Sequence, residues 1–257
     1  MRTLLLAGLL TGAVLAQMTD VPPVIQVVRK PGTGSVSSKP YSDAKAAVEV
    51  MGLTSVTGLP ETWMIESHPS FVSIEDLDRA MAPGRHSQRA ERSDASQDDL
   101  LAPARTMIAT YRPDWSYRPQ EAIRMFPKAR YFHVSILRVR PGEDDALDDL
   151  MTLRRATLDS INLARPDLVY HIISGEPSGV YLILAPLLSL KILDDGIVAL
   201  PAYAEPIAAA ESKAGKKAST VELTREHFLF RIDPRISYVS DEFASSDMEF
   251  WRGQRAQ

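Results

Sequence analysis

Apolar and polar residues alternate in short runs along most of the chain, and Pro or Gly separates the runs. This pattern is typical of β-strands joined by tight turns. The predicted strands cover residues 24–30, 50–56, 62–65, 106–111, 132–140, 169–173, 180–184 and 227–232. Two of these strands end in the same dipeptide, at Pro31-Gly32 and at Pro141-Gly142. The chain is therefore rich in strands, and similar turns recur in its two halves.

Longer stretches with apolar residues at helical spacing lie between some of the strands. The clearest one covers residues 144–163 and has Asp144 and Asp145 in its first turn, where carboxylates interact favourably with the helix dipole. Its apolar stripe consists of Leu147, Leu150, Met151, Leu158 and Ile161. Three further helices are predicted at residues 42–48, 71–81 and 207–217. Gly34 and Pro40 are expected to keep the first of these three short.

Both halves of the chain follow one order: strand, helix, strand, strand, helix, strand. Each half ends in a Pro-x-x-Ser-Tyr corner, with Ser116-Tyr117 in the first and Ser237-Tyr238 in the second. This order is that of the ferredoxin-like unit, which covers one sheet face with helices and leaves the other face bare. We therefore predict an α+β protein of two ferredoxin-like βαββαβ repeats, which bury their bare faces together as a pseudo-dimeric α/β barrel.

The predicted domain boundaries follow from this repeat. The first repeat covers residues 17–120 and includes the shortened first helix and a polar excursion at 83–97. The second repeat covers residues 121–257 and includes a C-terminal tail, whose aromatic side chains are expected to hold it against the body. Two fused units make a monomeric pseudo-dimer plausible, and further pairing into a homodimer stays open.

The paired Pro-Gly turns, hairpins and Ser-Tyr corners resemble the dimeric α/β-barrel superfamily. Within it, the pattern is similar to NIPSNAP-like and antibiotic-biosynthesis-monooxygenase-like proteins, and also to a group of exported bacterial proteins. The resemblance covers roughly residues 22–251 and is architectural, so it transfers no catalytic residue. It implies that a cofactor-free or haem-assisted oxidoreductase is one possible function. Beyond this possible haem, we predict no cofactor.

The N-terminal segment has the features of a secretory signal peptide. Arg2 provides the positive charge, residues 4–15 form an apolar run, and Val14-Leu15-Ala16 places small residues before Gln17. The run is too short for a membrane anchor, which needs about 20 apolar residues. We therefore predict a signal peptide at residues 1–16 and export of the protein to the periplasm or outside the cell.

Composition narrows the classes of chemistry further. The 257-residue chain has 24% charged residues and a net charge of −4, with no long basic stretch, so nucleic acid is not an expected partner. The absence of cysteine excludes disulfides, thiolate zinc sites and cysteine nucleophiles. Paired acids such as Asp144-Asp145 are interpreted as helix-start charges, and no metal site is predicted.

Histidines provide the candidate chemistry. Three of the five lie in predicted strands of the second half, at His133, His171 and His227. In a ferredoxin-like sheet the first and fourth strands are neighbours, so His133 and His227 are expected side by side, where they could act as a base or as ligands. The alternative is that all three are partly buried structural residues. His68 and His86 are expected in solvent.

Aromatic side chains form a second candidate site. Trp63, Tyr170 and Tyr181 lie in predicted strands and could line a ligand pocket, although core packing is the favoured explanation for them. Three functions therefore stay open: binding of a small apolar or amphipathic ligand between sheet and helices, oxidoreductase catalysis, and a structural or interaction role. The first is favoured because the sequence contains no convergent set of acid, base and nucleophile.

Overall fold

The computed structural model describes residues 20–32, 38–91, 104–194, 205, 208–209 and 218–253, including side chains except at 82–91 and 218–219. The predicted signal peptide at 1–16 lies outside the described residues, as does most of the helix predicted at 207–217.

Eight strands within the described residues pair antiparallel and close into one barrel. In chain order they are Val24–Pro31 (β1), Glu49–Ser55 (β2), Glu61–His68 (β3), Arg105–Tyr111 (β4), Tyr131–Val139 (β5), Leu168–Ser174 (β6), Val180–Leu187 (β7) and Glu222–Ile232 (β8). Around the barrel the order is β1-β3-β2-β8-β5-β7-β6-β4. The predicted α+β class with a barrel is therefore confirmed, and closure pairs the strand edges that an open sheet would expose.

The two halves contribute four neighbouring strands each. In both halves the first strand lies between the third and the fourth, so β1 pairs with β4 and β5 pairs with β8, as expected for strand neighbours. The halves meet edge to edge where β2 pairs with β8 and β4 pairs with β6. These two seams convert two sheets into one continuous barrel wall.

The two Ser-Tyr corners connect the halves reciprocally. In each corner the serine Oγ donates to the carbonyl four residues before it. The same Oγ of Ser116 accepts from the N–H of Val169 in β6, and that of Ser237 accepts from the N–H of Gly52 in β2. Each corner thus fixes the end of one half to the second strand of the other half.

Besides a helical segment at residues 191–194, the described part of the chain contains seven α-helices. They are Lys39–Asp43 (α1), Phe71–Glu91 (α2), Pro119–Met125 (α3), Asp144–Ser160 (α4), Ala218–Val221 (α5), Asp241–Ala244 (α6) and Met248–Arg252 (α7). The helix α4 confirms the prediction at 144–163, with Asp144 and Asp145 in its first turn. None of these helices is both long and apolar enough to cross a membrane.

Two helices of the first half differ from the prediction. Pro40 lies in the first turn of α1 and does not stop the helix, because a first-turn N–H has no intrahelical partner to lose. The helix α2 continues to Glu91 and so includes part of the predicted polar excursion. Residues 85–91 contain no β-branched residue, Gly or Pro, and this composition is compatible with a helix.

The barrel interior is a packed apolar core. Inward-facing residues include Ile25, Val27, Leu53, Trp63, Ile65, Phe132, Val134, Leu182 and Phe230. Two smaller apolar clusters lie on the outer face. One, which includes Leu137 and Leu147, lies beneath α4, and the other, which includes Met64 and Leu77, lies beneath α1 and α2. Burial of both faces of the wall explains why β3 and β7 contain no exposed position, whereas β8 is exposed at residues 223–227 and 231.

The C-terminal tail packs against the barrel, as predicted. Trp251 of α7 is buried and donates its indole N–H to the carbonyl of Pro127 at 2.7 Å. Phe243 of α6 packs edge-on against the same indole ring. The tail therefore completes the core next to the start of the second half.

Candidate functional site

A cavity of about 470 Å³ lies where the residues before β1, the end of β3 and the chain after β8 meet. Its apolar wall consists of Val21, Pro22, Pro23, Ala46, Ala47 and Val48. Its polar lining includes Asp20, Glu49, His68, Tyr238, Ser240 and Glu242. We call it the amphipathic cavity. Its volume and mixed lining are typical of small-molecule sites.

Two carboxylates give this cavity its charge. Glu49 Oε2 accepts a hydrogen bond from the Ser240 N–H at 2.9 Å, and burial raises the pKa of Glu49. Glu242 Oε1 is buried and has no hydrogen-bond partner among the described residues. A buried carboxylate oxygen without a donor is costly.

His68 borders the cavity and belongs to a buried polar cluster around Glu66, which we call the Glu66 cluster (Gln26, Tyr41, Glu66, His68 and Ser73). Gln26 Nε2 donates to Glu66 Oε2 at 2.9 Å, and the Tyr41 hydroxyl donates to Glu66 Oε1. His68 Nε2 lies 3.4 Å from Glu66 Oε2, and its Nδ1 lies 2.8 Å from Ser73 Oγ. Both ring nitrogens and both carboxylate oxygens are therefore engaged within the fold.

The expectation that His68 lies in solvent is wrong, because its side chain is 0% exposed and that of Glu66 is 3% exposed. The strand β3 extends through His68, and its even-numbered positions face outward beneath α1 and α2. Tyr41 from α1 and Ser73 from α2 close the cluster. Burial and the Glu66 carboxylate both raise the pKa of Tyr41, so its hydroxyl remains a donor.

His133 and His227 lie side by side on the outer face of the barrel, on β5 and β8. Their ring centroids are 5.3 Å apart and the ring planes differ by 24°. Ser135 Oγ lies 2.9 Å from His227 Nδ1. Burial lowers the pKa of His133 to about 4, with smaller effects of Arg165 and His227. Burial also lowers the pKa of His227, so both rings are neutral at neutral pH.

The third candidate histidine, His171, lies apart from the other two. His171 on β6 is directly opposite Tyr181 on β7, and their rings stack with centroids 4.6 Å apart. Burial lowers the pKa of His171. Tyr181 belongs to the apolar cluster beneath α4. The structure therefore brings together two of the three candidate histidines, and none of the three lines the amphipathic cavity.

The three aromatic candidates do not share a pocket. Trp63 is 0% exposed inside the barrel and donates its indole N–H to Glu61 Oε2 at 2.7 Å. Tyr170 is also inside the barrel and donates its hydroxyl to the carbonyl of Pro22 at 3.1 Å. Tyr181 lies on the other side of the barrel wall. Each aromatic ring thus forms part of an apolar cluster.

The described residues contain no group of three His, Asp or Glu side chains placed to hold a metal ion. Besides Glu49 and Glu242, which line the cavity, the structure places Glu66 and His68 beside it, and the sequence analysis selected none of these four as site residues. A signal for the last two was present in the sequence. Glu66 and His68 directly follow the strand predicted at 62–65, and in a strand that continues through them alternate residues lie on the same face.

No protein-family model matches this sequence, and no curated protein matches it. Solved structures do resemble the fold at low sequence identity. A protein from Fusobacterium nucleatum with a provisional monooxygenase name is 6% identical, with a TM-score of 0.49, over 82% of this chain and 93% of that chain. An anthrone oxidase-like protein is 13% identical, with a TM-score of 0.47, over 84% and 93%. Chlorite dismutase from Candidatus Nitrospira defluvii in complex with imidazole is 8% identical, with a TM-score of 0.47, over 89% and 97%. At these values the similarities carry no argument about activity.

Proposed function

We propose that this chain binds a small amphipathic molecule in the amphipathic cavity. The apolar part of the ligand packs against the wall that contains Pro22, Ala47 and Val48, and its polar end faces Glu49 and Glu242. The observation that carries the proposal is the combination of an apolar wall with the Glu49 and Glu242 carboxylates in the lining of a cavity large enough for a ligand. The favourable term is burial of apolar ligand surface, at about 25 cal/mol per Å².

The charge of the lining defines the polar end of the ligand. Asp20, Glu49 and Glu242 line the cavity, and no Lys or Arg among the described residues does. A protonated amine supplies both the hydrogen-bond donors and the positive charge that Glu242 Oε1 lacks. The proposed ligand class is therefore an amine with an apolar body.

Binding is favoured over catalysis because His68, the histidine in the cavity lining, is enclosed. His68 is fully buried, and its two ring nitrogens face Glu66 and Ser73. A general base must reach the substrate proton directly or through one water. His68 in this conformation stabilises the cavity wall and offers no free nitrogen to a ligand.

The test is calorimetric titration of the purified protein with octylamine, with octanoate as a chain-matched anion. We expect octylamine to bind, and octanoate to bind at least about tenfold more weakly, because the carboxylates repel it. Ala47→Trp fills the cavity and should weaken octylamine binding by about tenfold or more. Ala80→Trp, at an exposed position of α2 outside the cavity lining, is the matched control and should bind normally. Equal affinity of the Ala47→Trp and Ala80→Trp variants would contradict the proposal.

An oxidoreductase is the second candidate, and one observation favours it: His68, which contacts Glu66, borders the same cavity. It would require movement of α2 to release His68 from Ser73. If the chain is an oxidoreductase, His68→Gln should abolish its oxidation or reduction of substrate, while octylamine still binds. Haem does not fit at this cavity, because both nitrogens of His68 are engaged and none of His133, His171 and His227 lines it.

We also propose that the protein acts outside the cytoplasm. The charged, apolar and small-residue parts of residues 1–16 support export. Expression of the full chain in a bacterium should yield protein outside the cytoplasm, and N-terminal sequencing should begin at Gln17. An intact N-terminus in the cytoplasmic fraction would contradict export.

We further infer that the two halves are ferredoxin-like repeats within a dimeric α/β-barrel arrangement. The same strand order in both halves and the reciprocal bonds of Ser116 and Ser237 support this interpretation. A fused pair of repeats provides both halves of the barrel in one chain, which is compatible with a monomer. A sedimentation measurement of the mature protein would test the oligomeric state.

A further inference from the structure

A second cavity, of about 390 Å³, lies where β8 ends beside α7. Three of its lining residues are Arg130, Arg231 and Arg235, and we call it the arginine cavity. The remaining wall includes Asp233, Pro234 and Phe250. This concentration of guanidinium groups is unusual for a chain whose net charge is −4.

Two of the three guanidinium groups are held in place by the fold. Arg130 pairs with Asp247, donates to the carbonyl of Lys128 at 2.9 Å, and lies 3.9 Å from the ring centroid of Phe250. Arg235 Nε and Nη2 donate to the two carboxylate oxygens of Asp233 at 3.0 and 2.7 Å. Hydrogen bonds with these arginines also lower the pKa of each carboxyl group, so both pairs stay ionised.

Arg231 differs from the other two. It is exposed on β8, and its side chain has no hydrogen-bond or ion-pair partner among the described residues. Three guanidinium groups against the carboxylates of Asp233 and Asp247 leave one positive charge in excess. The site is therefore arranged for one additional negative charge next to an apolar ring.

We propose that the arginine cavity binds the carboxylate of a small organic anion. Arg231 contacts the carboxylate with its planar fork of N–H groups, which matches the two carboxylate oxygens. Phe250 packs against the apolar body of the anion, and Asp247 positions Arg130 beside it. A monoanion balances the single excess charge, whereas a phosphate dianion would reverse it.

This site is distinct from the amphipathic cavity in its lining and in the charge of its ligand. The test is calorimetric titration of the full mature protein with sodium benzoate, with benzyl alcohol as the uncharged analogue and inorganic phosphate as the competing oxyanion. Arg231→Gln removes the unpaired charge, and Arg225→Gln on the same strand is the matched control, since Arg225 pairs with Glu222 and lines no part of this cavity.

We expect benzoate to bind the wild type and the Arg225→Gln variant equally, and to bind Arg231→Gln at least about tenfold more weakly. Benzyl alcohol should show no heat of binding. Tighter binding of phosphate than of benzoate would overturn the carboxylate assignment. Benzoate binding that is unchanged in Arg231→Gln, with unchanged thermal unfolding, would overturn the site itself.

Discussion

Each half of the chain carries a polar cluster on the outer face of the barrel, and the fold closes over the two clusters to different extents. In the first half, α1 and α2 each contribute a partner, and Glu66 and His68 are fully buried. In the second half, His133 and His227 lie together with Ser135, and His227 remains exposed. The first cluster lies on β1 and β3 and the second on β5 and β8, and the enclosing helices also differ.

This difference determines how strongly each cluster contributes to the fold. A buried carboxylate needs all of its hydrogen bonds, and removal of one side of such a network leaves uncompensated polar groups in a medium of low dielectric constant. An exposed imidazole exchanges its partners with water at little cost. We therefore expect the Glu66 cluster to stabilise the first half substantially and the histidine pair to contribute little at neutral pH.

The largest expected effect is that of Glu66→Ala. This change leaves the Gln26 amide, the Tyr41 hydroxyl and His68 without their common acceptor, and should lower the free energy of unfolding by about 3 kcal/mol. Urea denaturation measures the change. Glu75→Ala is the matched control at an exposed position of α2, where loss of the pair with Arg79 should cost about 0.5 kcal/mol or less. Equal losses of unfolding free energy in the two variants would contradict the proposed difference between buried and exposed polar groups.

Tyr41→Phe should have an intermediate effect. The variant keeps the aromatic ring and removes one hydrogen bond to the Glu66 carboxylate, which should lower the free energy of unfolding by about 1.5 kcal/mol. Tyr238→Phe is the matched control. Tyr238 stacks on Tyr41, and its hydroxyl has no hydrogen-bond partner among the described residues. We expect the urea midpoint to be highest for the wild type, lower for Tyr238→Phe and lowest for Tyr41→Phe. A midpoint of Tyr41→Phe above that of Tyr238→Phe would refute a stabilising role of the Tyr41 hydroxyl.

The histidine pair should make the free energy of unfolding depend on pH. Burial lowers the pKa of His133 to about 4, below its ordinary value, so between pH 6.5 and 4 the unfolded chain binds a proton that the folded chain does not. Stability is therefore fully present above pH 6.5 and falls as the pH drops towards 4, by roughly 1–2 kcal/mol after allowance for solvent screening. Urea denaturation of wild type and His133→Gln at pH 7 and pH 4.5 measures this. A wild-type loss no greater than that of His133→Gln would contradict the assignment.

The smallest effect should come from His227→Ala at pH 7. Its ring is exposed and its bond to Ser135 is replaceable by water, so the change should alter the free energy of unfolding by about 0.5 kcal/mol or less. Its urea midpoint should lie close to that of the wild type. A loss as large as that of Tyr41→Phe would show that the second cluster is also structural.

The comparison also shows what the sequence could predict. Strand alternation and the order of elements predicted the barrel, the pairing of β5 with β8, and the proximity of His133 to His227. All of these depend on period and neighbour order, which are local properties of the chain. The same reasoning assigned His68 to solvent because it precedes Pro69, whereas β3 continues through His68 and α2 covers it.

The amphipathic cavity was beyond prediction for a different reason. Its lining comes from the residues before β1, the chain before β2, the end of β3 and the segment after β8, which are distant in sequence. No periodic pattern connects Ala47 with Glu242. The aromatic candidates do not share a pocket because Trp63 and Tyr181 lie on opposite faces of a closed wall, and the sequence analysis did not assign their faces.

The most direct test of the proposed ligand site is a crystal structure of the mature protein grown with octylamine. The account predicts electron density for the alkyl chain along Pro22 and Val48, with the amine nitrogen within hydrogen-bonding distance of the Glu49 or Glu242 carboxylate. Octylamine bound only elsewhere on the surface, with the Glu242 carboxylate bonded instead to another side chain, would contradict it.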